Sequence, residues 1–208
     1  MLTADQALAF LAAAMLITIS PGPDNLMVLG FGMARGRARG IAFGLGCAFG
    51  CLSHTVLAAL GISGLIAASP LAFGALRIAG GLYLVWMGIG ALRSGGGAKA
   101  VALDGPDVPL PRLFARGLVA NAINPKVALF FLSFLPQFVV AQRGDVPWQT
   151  AQLGLIFTLQ AAFLFGLLGF FAGSIGAWLN RRPRAGLWLD RAAGMVFVGL
   201  GLKLIWGR

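Results

Sequence analysis

Two short motifs hold most of the polar chemistry of this chain: Ser20-Pro21-Gly22-Pro23-Asp24-Asn25 and Asn121-Ala122-Ile123-Asn124-Pro125-Lys126. Each sets hydroxyl or amide groups beside proline and adds one ionisable side chain, Asp24 in the first and Lys126 in the second. Proline lacks an N–H and clashes with the carbonyl four residues back, so a helix running through either motif breaks there. The carbonyls of Ile17 and Ile19, and that of Asn121, lose their helical partners. Ser20-Pro21 and Asn124-Pro125 each read as an N-cap followed by proline at the first helical position. A half-helix that starts there presents unpaired N–H groups and partial positive charge. The chemistry on offer is recognition of a small zwitterion. A carboxylate suits the half-helix N-termini and Lys126; an ammonium suits Asp24 and the freed carbonyls. The other reading is a structural Asp24–Lys126 ion pair that holds two parts of the chain together. The two coexist if a solute competes with the pair.

The elements that position these motifs follow from composition. Of 208 residues, 59% are apolar and 11% charged, against roughly 25% charged in ordinary soluble domains. A soluble fold of this size cannot hide that much apolar surface; a bilayer can. Runs almost free of charge lie at about 5–33, 38–64, 68–92, 113–140, 148–178 and 186–206. Each reaches the roughly 20 residues a membrane helix needs. The expectation is an all-α membrane protein of six spans, with the first and fourth broken near their middles. In hydrocarbon, free backbone groups survive only where they line a cavity or meet protein partners. An ionisable side chain at that depth faces the bundle interior.

The net charge is +10, and the basic residues sit between the runs. Odd connections hold eleven of them, and even connections plus termini hold three. The positive-inside bias then puts the odd connections in the cytoplasm and both termini outside. No basic patch is interleaved with aromatics as on a nucleic-acid-binding surface. The third connection, with Gly95, Gly96, Gly97, Pro106, Pro109 and Pro111, reads as a flexible linker over 93–112. It joins a three-helix repeat over 1–92 to a second over 113–208, within a single transmembrane domain. Three helices per half, opposite orientation and breaks at matching places form the pattern of inverted-repeat transporters. Substrate and proton sites are expected at Ser20, Pro21, Gly22, Pro23, Asp24, Asn25, Asn121, Asn124, Pro125 and Lys126. Arg116 and Asn121 are expected at the cytoplasmic mouth.

Four further residues are secondary candidates. His54 is the sole histidine; it suits a proton relay or a packed, hydrogen-bonded role. Arg77 either snorkels to the outer interface or faces the cavity. Tyr83 lies further along the same helix. Gln160 lies in the charge-free fifth run, where its amide must find a partner. Gly36, Gly40 and Gly44, like Gly46 and Gly50, repeat every four residues, a pattern that lets helices approach closely within one chain or between two copies of a homodimer. Cys47 and Cys51 share a helix face and read as small core residues, with no metal-ligand spacing around them. With one histidine, no Glu and no suitably spaced carboxylate pair, hydrolytic or redox chemistry has no constellation, and no cofactor or metal is implied.

The two break motifs resemble those of the LysE/RhtB family of amino-acid exporters. The likeness continues through Gly80-Gly81-Leu82-Tyr83-Leu84-Val85-Trp86-Met87-Gly88 and through Asn124-Pro125-Lys126-Val127-Ala128-Leu129-Phe130-Phe131 with Leu135-Pro136-Gln137-Phe138. It covers essentially the whole chain. It implies a bacterial inner-membrane secondary transporter that exports amino acids or related metabolites by proton antiport. A passive channel built from broken helices and a non-transporting membrane subunit are the rival readings.

Overall fold

The computed structural model describes residues 2–94 and 108–206. Most of the linker, including Gly95, Gly96, Gly97, Lys99 and Pro106, lies outside the described residues, as does Arg208. The rest is helical: α1 (Ala4–Ile19), α2 (Pro23–Arg35), α3 (Arg37–Ala68), α4 (Pro70–Arg93), α5 (Leu110–Ala122), α6 (Pro125–Leu129), α7 (Val146–Phe170), α8 (Ala172–Arg181) and α9 (Pro183–Trp206). Four helices are long and apolar enough to cross a bilayer: α3, α4, α7 and α9. Two bent pairs qualify as broken spans, α1 with α2 at 59° and α5 with the helical stretch to Phe138 at 49°. Counting each pair once gives the six spans expected from the sequence.

The first break restarts later than the sequence suggested. Ser20 does not cap α2; it ends α1, and its Oγ donates back to Leu16 O at 2.6 Å. Gly22 is the residue before the new helix, with Pro23 in its first turn. The reason is the alternation of prolines. Proline keeps the residue before it out of the helical region, so Pro21 extends Ser20 (ψ 126) and Pro23 extends Gly22 (φ −165, ψ 178). Only beyond the second proline can a helix resume. The second break follows expectation: Asn124 caps α6, its Oδ1 accepting from Lys126 N at 3.0 Å, with Pro125 at the start.

After α6 the helix widens into a π turn over Phe130–Phe134 and tightens to a 3-10 turn over Leu135–Phe138. The π turn packs Phe130 and Phe131 against Phe157 of α7, with ring centroids 5.4 and 4.9 Å away. Phe130 also meets Phe10 of α1 at 6.0 Å. This aromatic core ties both broken spans to α7.

Glycines set the helix crossings. A Cβ at Gly46 would fall 2.0 Å from Phe114 O, and one at Gly117 would fall 2.1 Å from Phe43 O, so α3 and α5 touch backbone to backbone. On the other side of α3, Gly40 meets Gly169 and Gly44 meets Phe165 of α7. Helices α4 and α9 cross antiparallel, Gly81 against Gly201 and Gly88 against Gly194. Gly36 departs from the expected face: with φ +89 it turns the chain between α2 and α3 rather than lying on a helix, a backbone that glycine adopts without strain. The repeat Gly40, Gly44, Gly46 and Gly50 is thus used inside the chain.

The fifth run, read as one span over 148–178, stops at Phe170, and α8 is a separate helix. The 25 residues of α7 already reach roughly 37 Å at 1.5 Å per residue, beyond the ~30 Å hydrocarbon core. Contacts at the helix ends keep the alternation of the spans. Arg143 donates to Gln6 Oε1 at 2.7 Å, joining the fourth connection to the start of α1. At the opposite ends, the Arg37 guanidinium lies 4.5 Å from the Phe170 ring, and Ser94 Oγ donates to Asp190 Oδ2 at 2.5 Å.

Candidate functional site

The two breaks meet. Asp24 follows Pro23 in the first turn of α2, and Lys126 follows Pro125 in α6; each is only 5% exposed. Asn121, in the last turn of α5 and 1% exposed, joins the halves: its Nδ2 donates to Asp24 Oδ2 at 2.7 Å. Lys126 Nζ crosses the other way and donates to Ser20 O at 2.8 Å. Its approach runs over Gly22, where a Cβ would lie 3.1 Å from Nζ. The ammonium also lies 5.1 Å from the Phe197 ring centroid on α9, within cation–π range. Asp24 and Lys126 form no ion pair among the described residues; each takes a neutral partner from the opposite break. The direct pair that the charges suggested is therefore not the arrangement adopted. Both charges face one chamber instead.

Carbonyls at the two breaks find side-chain donors, as burial demands. Asn121 O, freed by Pro125, lies 2.9 Å from His54 Nε2. A carbonyl can only accept, so Nε2 donates. In the first break, besides Leu16 O, the carbonyls that take side-chain donors are those of Thr18 and Ser20 rather than Ile17 and Ile19. Asn25 Nδ2 donates to Thr18 O at 2.9 Å, and Lys126 Nζ to Ser20 O.

The chamber holds about 20 Å³, room for about one water. Gly22, Asp24, Asn25, Asn121, Asn124 and Lys126 supply its polar wall. Ile17, Val127, Phe130, Phe157 and Phe165 supply the apolar one. Opposite charges on one side and aromatic rings on the other can hold a small amphiphilic zwitterion once the chamber widens. Ser20 is buried beside it and offers its carbonyl to Lys126. Pro21, Pro23 and Pro125 act through the backbone they break.

The secondary candidates divide. His54 joins the site through Asn121. Gln160 Nε2 donates to Thr18 Oγ1 at 2.9 Å, pinning α7 to the end of α1, while its Oε1 is buried without a partner among the described residues. Arg77 and Tyr83 lie on α4, half-buried and away from the chamber lining; the Tyr83 ring packs on Trp86 at 5.6 Å. Arg116 is exposed and does not line the chamber. Sequence reasoning missed the side chains of Thr18, Cys51, Val127, Phe130, Phe157 and Phe165 as chamber residues. Cys51 Sγ lies 3.3 Å from Asn121 Oδ1. Its place one turn before His54 on α3 was the available signal.

The profile of the LysE type translocators matches residues 15–208, and the chain belongs to that family. A threonine efflux protein of Escherichia coli strain K12 is 31% identical over 210 residues, covering 96% of this chain and 98% of the relative. A leucine efflux protein of an Enterobacter species is 30% identical over 197 residues, 94% of this chain and 92% of the relative. An uncharacterized membrane protein of Pseudomonas aeruginosa is 31% identical over 192 residues, 90% of this chain and 89% of the relative. No solved structure matches the chain.

Proposed function

We propose that this LysE-type chain is a secondary exporter of amino acids or closely related metabolites across a bacterial inner membrane, driven by proton antiport with alternating access at the chamber between the two breaks. One observation carries the reading: Asp24 and Lys126 are buried at one small chamber, from opposite broken helices, without pairing with each other. Two opposite charges kept apart in a low-dielectric interior are expensive unless an occupant of complementary charge answers them. An amino acid carries both charges. Its ammonium replaces Asn121 at the Asp24 carboxylate, and its carboxylate replaces Ser20 O at Lys126. Asp24 takes a proton in the half-cycle without solute.

The chamber is too small for an amino acid as it stands, which supports a closed state that opens to one side at a time. The crossings support two related halves. α3 packs on α5 while α7 packs on α1 and α2, and α4 faces α9, so exchanging the halves exchanges like contacts for like. Under the positive-inside bias, the ends bearing Arg35, Arg37 and Arg39 face the cytoplasm, and both termini face the periplasm. The relatives' leucine and threonine efflux activities make those two amino acids the first solutes to test.

The test is efflux from proteoliposomes loaded in turn with leucine, threonine and other amino acids, with and without an imposed proton gradient. Gradient-stimulated, solute-saturable flux is expected. Flux indifferent to the gradient would make the protein a passive pathway, and no flux of any amino acid would remove the transport reading.

A further inference from the structure

A second space adjoins the chamber. It is open, about 240 Å³, and lies between the α1–α2 elbow and the α7–α8 elbow. Thr18, Ile19 and Asn25 form one side, and the end of α7 with Ile175 of α8 forms the other. Among the described residues, none of those lining it is charged. The two spaces share three residues, Thr18, Asn25 and Phe165, so these three are the partition between them.

The three do not move alike. Thr18 and Asn25 are tied to each other by the Asn25 Nδ2 bond to Thr18 O, and Thr18 Oγ1 is held by Gln160. The Phe165 backbone is seated on α3, where a Cβ at Gly44 would lie 3.0 Å from Phe165 Cβ and 3.1 Å from its carbonyl oxygen. That leaves the Phe165 ring, buried and free of hydrogen-bonding constraint, as the part able to swing. Side chains hop between staggered rotamers without displacing the backbone.

We propose that this second space is an access subsite that takes the uncharged, apolar portion of the solute, and that the Phe165 ring is the partition it must displace to reach Asp24 and Lys126. The lining chemistry sets the class. Leucine, phenylalanine and isoleucine side chains around the space favour an aliphatic or aromatic tail. Among the described lining residues, Thr18 and Asn25, shared with the chamber, are the ones whose side chains offer polar groups to a solute's charged end. The space descends from the break toward the end of α7, which packs against Arg37. Its lining reaches Phe171 and Ile175, beyond the end of α7 where Phe170 meets Arg37, and under the positive-inside bias that arginine-rich end is the side from which an exporter loads. The inference rests on the chamber being the solute site, but the partition can be read without transport.

Cys51 lines the chamber and is fully buried, so it reports access directly. Cys47 is the chain's other cysteine, so a Cys47→Ala background leaves one thiol. In sealed vesicles of each orientation, a small cationic methanethiosulfonate reagent measures the Cys51 modification rate. Phe165→Ala should raise that rate at least about tenfold from the arginine-rich face, equivalent to about 1.4 kcal/mol less to open the partition. From the opposite face the rate should not change, and Phe165→Trp should slow it. A Leu168→Cys probe in a chain lacking both native cysteines should react from the arginine-rich face with Phe165 intact. An unchanged Cys51 rate in Phe165→Ala, equal acceleration from both faces, or an inert Leu168→Cys each overturns the proposal. A misfolded variant gives itself away by losing its unfolding transition in detergent, and Phe165→Leu then supplies the milder step. If labelling follows expectation while the wild type moves no amino acid, the partition stands and the solute assignment falls.

Discussion

Asn121 hydrogen-bonds Asp24 at 2.7 Å across 97 residues of sequence, and so couples the break in one half of the chain to the break in the other. The same residue offers its carbonyl to His54 and its Oδ1 to Cys51. Asp24 therefore sits at the end of a network, with one carboxylate oxygen engaged. Asp24→Asn keeps an oxygen able to accept from Asn121 while removing the charge. Burying a neutral amide in place of an unpaired carboxylate is neutral or mildly favourable for folding. The expected outcome is a variant with unchanged thermal unfolding in detergent but gradient-driven efflux reduced about tenfold or more, the scale of a lost hydrogen bond to a charged group. Undiminished efflux under the same gradient removes Asp24 from coupling.

Lys126 has a different problem to solve. Its ammonium satisfies Ser20 O, a carbonyl left without a helical donor by the prolines at 21 and 23. Lys126→Met keeps the length of the stem and deletes that donor. It should lower stability by about 1–3 kcal/mol, the penalty of one orphaned buried acceptor, and abolish any rise in melting temperature on adding a transported amino acid. Lys126→Arg should not restore the shift, because Nζ already lies against Gly22 and a forked guanidinium is larger. A full solute-induced shift in Lys126→Met would show that the carboxylate is held elsewhere.

The limits of the sequence are instructive at particular residues. Both breaks were legible because proline acts on its own neighbours, a local effect. Even so, Ser20 looked like a helix start and is a helix end, because two prolines spaced by one residue extend both residues that precede them. The run from Trp148 to Trp178 looked continuous because hydropathy cannot see the turn at Phe171. Thr18, Cys51 and Phe165 reach the chamber from three different helices; His54 one turn on marks Cys51, but nothing in their own neighbourhoods marks Thr18 or Phe165. Asp24 and Lys126 invited pairing by sign alone; their neutral partners, Asn121 and Ser20, depend on how the elbows interlock.

Gly117 and Gly90 make a matched pair for testing helix packing. A Cβ at Gly117 would lie 2.1 Å from Phe43 O, whereas one at Gly90 meets nothing within 4 Å. Gly117→Ala must push α5 away from α3 and so displace Asn121 from Asp24. A loss of about 1–3 kcal/mol or more is expected, as for overpacked cores, with efflux falling alongside. Gly90→Ala should leave both unchanged. Unfolding midpoints of the two variants in one detergent decide the matter; equal midpoints would mean that the backbone contact between α3 and α5 is not what holds the site.

His54 separates a positioning role from a proton relay. Its Nε2 donates to Asn121 O, the carbonyl that Pro125 strips of a helical partner, and its ring lies 5.7 Å from that of Phe131. The imidazole carries a hydrogen on Nε2 in that neutral tautomer and in the cation alike, so the bond itself calls for no proton transfer. A group whose bond is indifferent to its charge is suited to holding Asn121 in place. His54→Ala should therefore lower stability by about 1–3 kcal/mol through the orphaned carbonyl and weaken efflux in proportion. His54→Gln retains a donor at similar reach, and should recover most of the stability and leave the pH profile of efflux unshifted. A relay needs a group that titrates. Loss of gradient coupling in His54→Gln, with stability intact, would move His54 from supporting Asn121 to carrying the proton.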